Sequence, residues 1–175
     1  MTLTTRMFAG FVLAASAIVL GTALLSQYWG GLAPCELCLM QRWPWTVAIV
    51  ISLVVVLVGE RAELAWVALL LGLVFAVSVV MAFYHVGVEQ HWFAGPTACT
   101  ASEGGAITLE QMKQQILGTA PVLCDRPAWT LVGVSLAGWN LLASLIMTGC
   151  CIAAWLQARS LRRSQPRRDV RRGTA

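Results

Sequence analysis

The run Leu64–Tyr84, LAWVALLLGLVFAVSVVMAFY, carries no charged side chain over twenty-one positions. About 20 apolar residues in a helix cross the ~30 Å of hydrocarbon in a bilayer, so this stretch alone predicts a membrane span. Comparable runs lie at about Met7–Leu25, Trp43–Val58 and Ala128–Leu156, the second being the shortest. In a chain of 175 residues, 58% apolar and 11% charged, four such runs leave too little polar sequence to cover them in water. The predicted fold is an all-α membrane protein. A four-transmembrane-helix bundle fills residues 1–158, and a basic, disordered tail follows over 159–175.

Basic residues set the predicted orientation. Arg6, Arg61 and seven arginines between Arg159 and Arg172 lie on one side, against Arg42, Lys113 and Arg126 on the other. That imbalance puts both termini in the cytoplasm and turns the loops at about 26–42 and 85–127 outward. Trp29, Trp43, Trp45, Trp92 and Trp129 flank the spans on the outward side, where an indole can bury its ring and still hydrogen-bond. Trp139 falls inside the fourth run and is read as packing. The first span is expected to be retained, because its apolar run is long and no A-x-A site follows it. Pro34 also replaces the small residue expected before a lipoprotein cysteine. The arginine tail has no interleaved aromatics and directly follows a span. It reads as an orientation signal with affinity for anionic lipid, not as a nucleic-acid site.

The second outward loop is long. Gly95-Pro96 and Gly104-Gly105 make its front irregular, and Thr108-Leu109-Glu110-Gln111 has the pattern of a reciprocal helix cap. Ile107, Leu109, Met112, Ile116 and Leu117 against Glu110, Lys113 and Gln114 predict a short amphipathic helix lying along the membrane surface.

Four cysteines stand in these loops: Cys35 and Cys38 in a CxxC, then Cys99 and Cys124. An oxidising compartment allows disulfides to persist, so two structural bridges are one reading. The CxxC spacing points elsewhere. A bridge stabilises more by closing a long loop, and Cys35–Cys38 would close almost nothing, whereas the motif recurs in dithiol oxidoreductases. Four thiolates can also bind zinc, but zinc ribbons offer two CxxC knuckles and only one pair here has that spacing, so no metal is expected. Arg42 has two readings at this point: a cation that favours a nearby thiolate, or an interfacial anchor beside Trp43 and Trp45. His85 and His91 flank the end of the third run, with Glu89 and Gln90 between them. They are either proton-handling groups or polar residues leaving the membrane. Cys150-Cys151 lie in the fourth run, point in different directions on a helix, and read as small packing residues.

The stretch Pro34-Cys35-Glu36-Leu37-Cys38-Leu39-Met40-Gln41-Arg42-Trp43-Pro44 closely resembles the DsbB family of bacterial inner-membrane disulfide-forming proteins. Tyr84-His85-Val86-Gly87-Val88-Glu89-Gln90, Gly95-Pro96-Thr97-Ala98-Cys99 and Cys124-Asp125-Arg126-Pro127-Ala128-Trp129 extend the resemblance over nearly all of the chain but the tail. It implies a quinone-dependent thiol oxidoreductase with Cys35, Cys38, Cys99 and Cys124 as catalytic residues. Arg42 would bind the quinone, ubiquinone or menaquinone, with His85 and Gln90 as further contacts. The implied partner is a periplasmic, thioredoxin-fold protein of the DsbA type, and electrons leave as quinol to the respiratory chain. The DsbA–DsbB–quinone relay is itself the standing illustration of a periplasm kept oxidising kinetically.

Two alternatives are weighed against this expectation. In vitamin-K-epoxide-reductase-like enzymes the loop pair precedes the CxxC, the reverse of the order here. A tetraspan adaptor, from a different class, would use its loop disulfides only to hold a binding surface.

Overall fold

A computed structural model describes residues 4–58, 62–96, 109–110, 113 and 122–164. Helix α1 (Thr5–Tyr28) begins where the Thr4 hydroxyl accepts a hydrogen bond from the Met7 amide at 3.2 Å, which satisfies one of the orphan donors of a first turn. A one-turn helix α2 (Glu36–Met40) leads into α3 (Arg42–Val58), whose first turn holds Pro44, where a missing N–H does no harm. Helix α4 (Leu64–Glu89) and, after a two-stranded hairpin, helix α5 (Leu136–Ser164) complete the bundle. The chain is thus a four-helix membrane protein, with four helical segments long and apolar enough to cross a bilayer: Thr5–Tyr28, Glu36–Val58, Leu64–Glu89 and Leu136–Arg163.

Two boundaries differ from the hydropathy reading. Helix α4 continues through Glu89, so His85 and Glu89 belong to its last turns and not to a loop. The fourth helix starts at Leu136, well after Ala128. Thr130–Leu131 (β1) pairs antiparallel with Val134–Ser135 (β2) around Val132 and Gly133, which take positive φ of 53° and 76°. Two left-handed residues in succession make the tight hairpin turn that matches strand twist, and Gly133 adopts that conformation without a Cβ penalty. The hairpin is apolar, so hydropathy merged it with the helix behind it. At the other end α5 runs through Arg159, Arg162 and Arg163, the first with its guanidinium 4.5 Å from the Trp155 ring centroid. The remainder of the basic tail lies outside the described residues. So does most of the amphipathic helix expected over 107–117, of which Leu109, Glu110 and Lys113 are helical and exposed.

Helix α4 packs most extensively on α5, and α1 packs on α3. The core between them gathers Phe8, Val12, Trp45, Leu71, Phe75 and Cys151. Small residues allow the close approach on which helix association in lipid depends. Gly72 faces the Cys151 Cβ, and a methyl added there would stand 3.3 Å from it. Cys151 is fully buried, as its packing role requires. Ser78 and Ser144 hydrogen-bond across the α4–α5 seam at 2.8 Å. Trp45 is not an interfacial residue. Its ring lies in the core, edge-on to Phe75 at 5.2 Å between centroids. Trp139 instead sits half-exposed and donates its indole N–H to the Leu131 carbonyl at 3.2 Å, tying α5 to the hairpin.

The end of α4 is closed by its own sequel. The Trp92 amide donates to the Gly87 carbonyl at 2.8 Å, which folds the Phe93 ring back over Gly87 and stacks it on Tyr84 at 5.9 Å. A Cβ at Gly87 would run into that ring. Gly87→Ala is therefore expected to displace Phe93 and lower stability by about 1–3 kcal/mol, the usual cost of overpacking. A melting curve in detergent that matches the native protein's would refute this account of the turn.

Candidate active site

The C-terminal ends of α1 and α4 and the N-terminal ends of α3 and α5 meet at one end of the bundle. Cys35 caps α2 there: its sulfur accepts from the Cys38 amide at 3.3 Å, the role a serine or aspartate plays at other helix starts. Capping turns both sulfurs of the CxxC to the same side, Sγ to Sγ 2.8 Å, with the Cys35 thiol donating to Cys38. Behind Cys35, the cluster of Leu37, Val88 and Cys124 is buried, with Tyr84 and Val122 against it. Cys124, 89 positions along the chain, is thus packed with Cys35 in one apolar cluster.

Cys38 also packs against this cluster, and it lines a cavity of about 350 Å³. Its walls are mainly apolar, from Val19, Leu32, Pro34 and Ala143, and its polar groups include Cys38, Gln41, Arg42, His85 and Asn140, with the α1 hydroxyls of Thr22 and Ser26. Volume and lining have the character of a small-molecule site, an apolar slot with convergent polar groups. Arg42 is held in its wall by neutral acceptors of α1, Gln27 Oε1 at 2.6 Å and the Ala23 carbonyl at 3.4 Å. Neither acceptor cancels its charge.

Of the sequence-predicted residues, Cys35, Cys38, Cys124, Arg42 and His85 are brought together here. Gln90 is the exposed C-cap of α4 and is not among the residues lining the cavity. Cys99 lies outside the described residues. His91 is exposed, with positive φ, and its ring Nδ1 donates to the Glu89 carbonyl at 3.2 Å. Glu89 has its side chain buried, Oε1 3.9 Å from His85 Nε2 and Oε2 taking a hydrogen bond from the Ser135 hydroxyl at 2.5 Å.

Sequence reasoning missed four polar residues. Gln41, Asn140 and Trp45 link to His85 through side chains, and Gln27 holds Arg42. The signal for Asn140 was present, a lone amide inside an apolar run, but its partners are set by helix packing and not by spacing.

The chain matches the family model described as "Disulfide bond formation protein DsbB" over residues 5–154. It belongs to the DsbB family. Among its relatives, "Disulfide bond formation protein B" of Azoarcus sp. (strain BH72) is 30% identical over 83% of this chain and 87% of its own. The protein of that name from Hahella chejuensis (strain KCTC 2396) is 28% identical over 89% of this chain and 96% of its own. An "Uncharacterized protein RP370" of Rickettsia prowazekii (strain Madrid E) is 25% identical over 75% and 77%. No solved structure matches. Membership in the DsbB family makes this a multi-pass membrane protein of disulfide bond formation, and that name implies disulfide oxidoreductase activity and a disulfide-exchange partner.

The two sulfurs of the CxxC are not equivalent. Its hydrogen bond to Cys38 and then burial push the Cys35 thiol up from 9.0 to about 12, against a smaller lowering by His85. A raised thiol pKa means the proton is kept until pH approaches that value, and the thiol form is a poor nucleophile. Limiting iodoacetamide on the reduced, folded protein at mildly alkaline pH is therefore expected to alkylate Cys38 well ahead of Cys35. Peptide mapping that finds Cys35 labelled first would reverse the assignment.

Proposed function

We propose that this protein is a quinone-dependent thiol oxidase of the bacterial inner membrane that reoxidises a periplasmic, DsbA-like disulfide donor. One observation carries the reading: both cysteines of the CxxC pack in the cluster that holds Cys124, and one of them, Cys38, also lines the cavity. A dithiol so placed can exchange with a loop cysteine on one side and serve a lipid-soluble acceptor on the other. The basic residues, nine on the tail side against three on the loop side, support cytoplasmic termini and periplasmic cysteines.

The exchange steps balance as follows. A thiolate of the reduced donor attacks Cys99 of a Cys99–Cys124 disulfide, forming a mixed disulfide and releasing Cys124 as thiolate. Cys124 attacks Cys35 of the Cys35–Cys38 disulfide, and Cys38 leaves as thiolate. The donor's second thiolate resolves the mixed disulfide, and the donor departs oxidised. The released Cys99 thiolate attacks Cys124, restoring the loop pair and expelling Cys35. Two electrons now rest on Cys35 and Cys38.

The residues around the cavity fit a quinone. The apolar walls suit its ring and chain, and Arg42, His85 and the amides of Gln41 and Asn140 suit its carbonyl oxygens. A quinone bound there would supply a two-electron, two-proton acceptor. Arg42 would hold a carbonyl oxygen and favour negative charge at that end of the cavity, and the apolar walls would exclude water. The acceptor is needed because the donor is itself a strong oxidant: each ~30 mV in a two-electron couple is worth ~1.4 kcal/mol, so an ordinary thiol pair could not take its electrons downhill.

A donor variant that keeps only the first cysteine of its own CxxC cannot resolve the mixed disulfide. With this partner an adduct through Cys99 is expected to accumulate, and its failure to form with any such donor would dismiss the proposed entry point. Loop disulfides that stay oxidised whatever the quinone supply would instead indicate the adaptor reading. Arg42→Ala, with membrane insertion unchanged, is expected to raise the KM for quinone by roughly tenfold, the worth of one charge-assisted hydrogen bond. An unaltered KM would return Arg42 to an anchoring role.

A further inference from the structure

Five hydrogen bonds in series cross the head of the bundle, and as far as the His85 ring each takes its direction from the one before. The Trp45 indole N–H can only donate, and it points at Asn140 Oδ1 at 2.8 Å. The Asn140 amide must then present its NH₂ to Gln41 Oε1, at 2.6 Å. Gln41 in turn presents its NH₂ to His85 Nδ1, at 2.6 Å. A ring nitrogen that accepts carries no proton, so the imidazole proton sits on Nε2. Nε2 faces Cys35 Sγ at 3.6 Å, and the Cys35 thiol donates to Cys38 Sγ at 2.8 Å. Rotating either amide by half a turn would set donor against donor at the indole or at the neighbouring amide, so the donor-only end fixes the direction of the series as far as the imidazole.

We propose that Trp45, Asn140 and Gln41 are positioning residues that hold the His85 proton on Nε2, where it donates to the Cys35 sulfur and stabilises negative charge there. A second contact argues for the same tautomer: Glu89 Oε1 lies 3.9 Å from Nε2, where a carboxylate favours a proton. Gln41 and His85 are buried, at 6% and 2% exposure, so water does not compete for these bonds. In such surroundings each donor polarises the next. The arrangement also bears on metals. Cys35, Cys38 and His85 bring three donor atoms within 4.8 Å of one another, a spacing a soft ion could use. A protonated Nε2 has no lone pair to offer it, so the series guards the dithiol against capture. The consequence for turnover rests on the proposed oxidase reading; the tautomer does not.

The full-length protein, reduced and free of quinone in detergent micelles, answers the question with 15N-labelled histidine. The sequence has two histidines, so His91→Gln assigns the signals. Two-bond 1H–15N correlations are expected to show Nε2 protonated and Nδ1 bare. Gln41→Glu keeps the length but replaces the donor by an acceptor. Recorded above neutral pH, with its carboxyl ionised, it is expected to move the proton to Nδ1, withdraw the donor from Cys35 and raise the preference for alkylating Cys38 over Cys35 by roughly tenfold, one net hydrogen bond's worth. A purely structural role for Gln41 would lower the melting temperature and leave both readouts alone. A native spectrum with Nδ1 protonated, or a Gln41→Glu spectrum like the native one, overturns the proposal. Should Gln41→Glu not fold, Trp45→Phe, which keeps the ring against Phe75, must show a raised Cys38 preference, and an unchanged one overturns the proposal equally. None of these readouts needs quinone or partner, so their failure is separable from failure of the oxidase reading.

Discussion

A buried amide in a membrane bundle has no water to fall back on, and its hydrogen bonds must be found among the helices around it. At the head of this bundle that requirement is met by Gln41, Asn140, Trp45 and His85, which bond to one another across α3, α4 and α5. The site depends on this mutual satisfaction. It fixes how the ends of three helices sit, and so where Cys38 borders the cavity. Removing one partner would leave the next unsatisfied in an apolar surround, which costs more than the bond itself contributes.

The CxxC gains its asymmetry from the same geometry. Cys35 caps a helix and is packed away with Cys124, while Cys38 borders the cavity with Arg42. The two sulfurs of one motif therefore meet different surroundings, and only Cys38 lines the cavity. Two residues of separation are enough for this, because the turn between them is helical and both sulfurs remain in contact.

Much of this was legible in the order of residues. Four long apolar runs permit few other folds, and the CxxC with Arg42 four places on marked the site. The boundaries were less legible. Hydropathy does not separate a hairpin of Thr, Leu and Val from the helix that follows, and only the paired left-handed conformation at Val132 and Gly133 does. Nor does it show that α4 extends past Tyr84 to present His85 and Glu89 on helical turns. Trp45 looked interfacial because tryptophans flank spans in general, yet its indole is committed to Asn140, almost a hundred positions away. Such pairings arise from how helices cross, and no local pattern encodes them.

The hairpin between Cys124 and α5 is fastened at three points. Trp139 bonds to Leu131, Ser135 bonds to Glu89, and the Gly138 amide bonds back to Ser135. This sets the hairpin from Leu131 to Gly138 against the ends of α4 and α5 as one fastened unit. Adding or deleting a residue between those two positions would break at least one fastening, whereas a change of length before Leu131 would leave all three bonds in place.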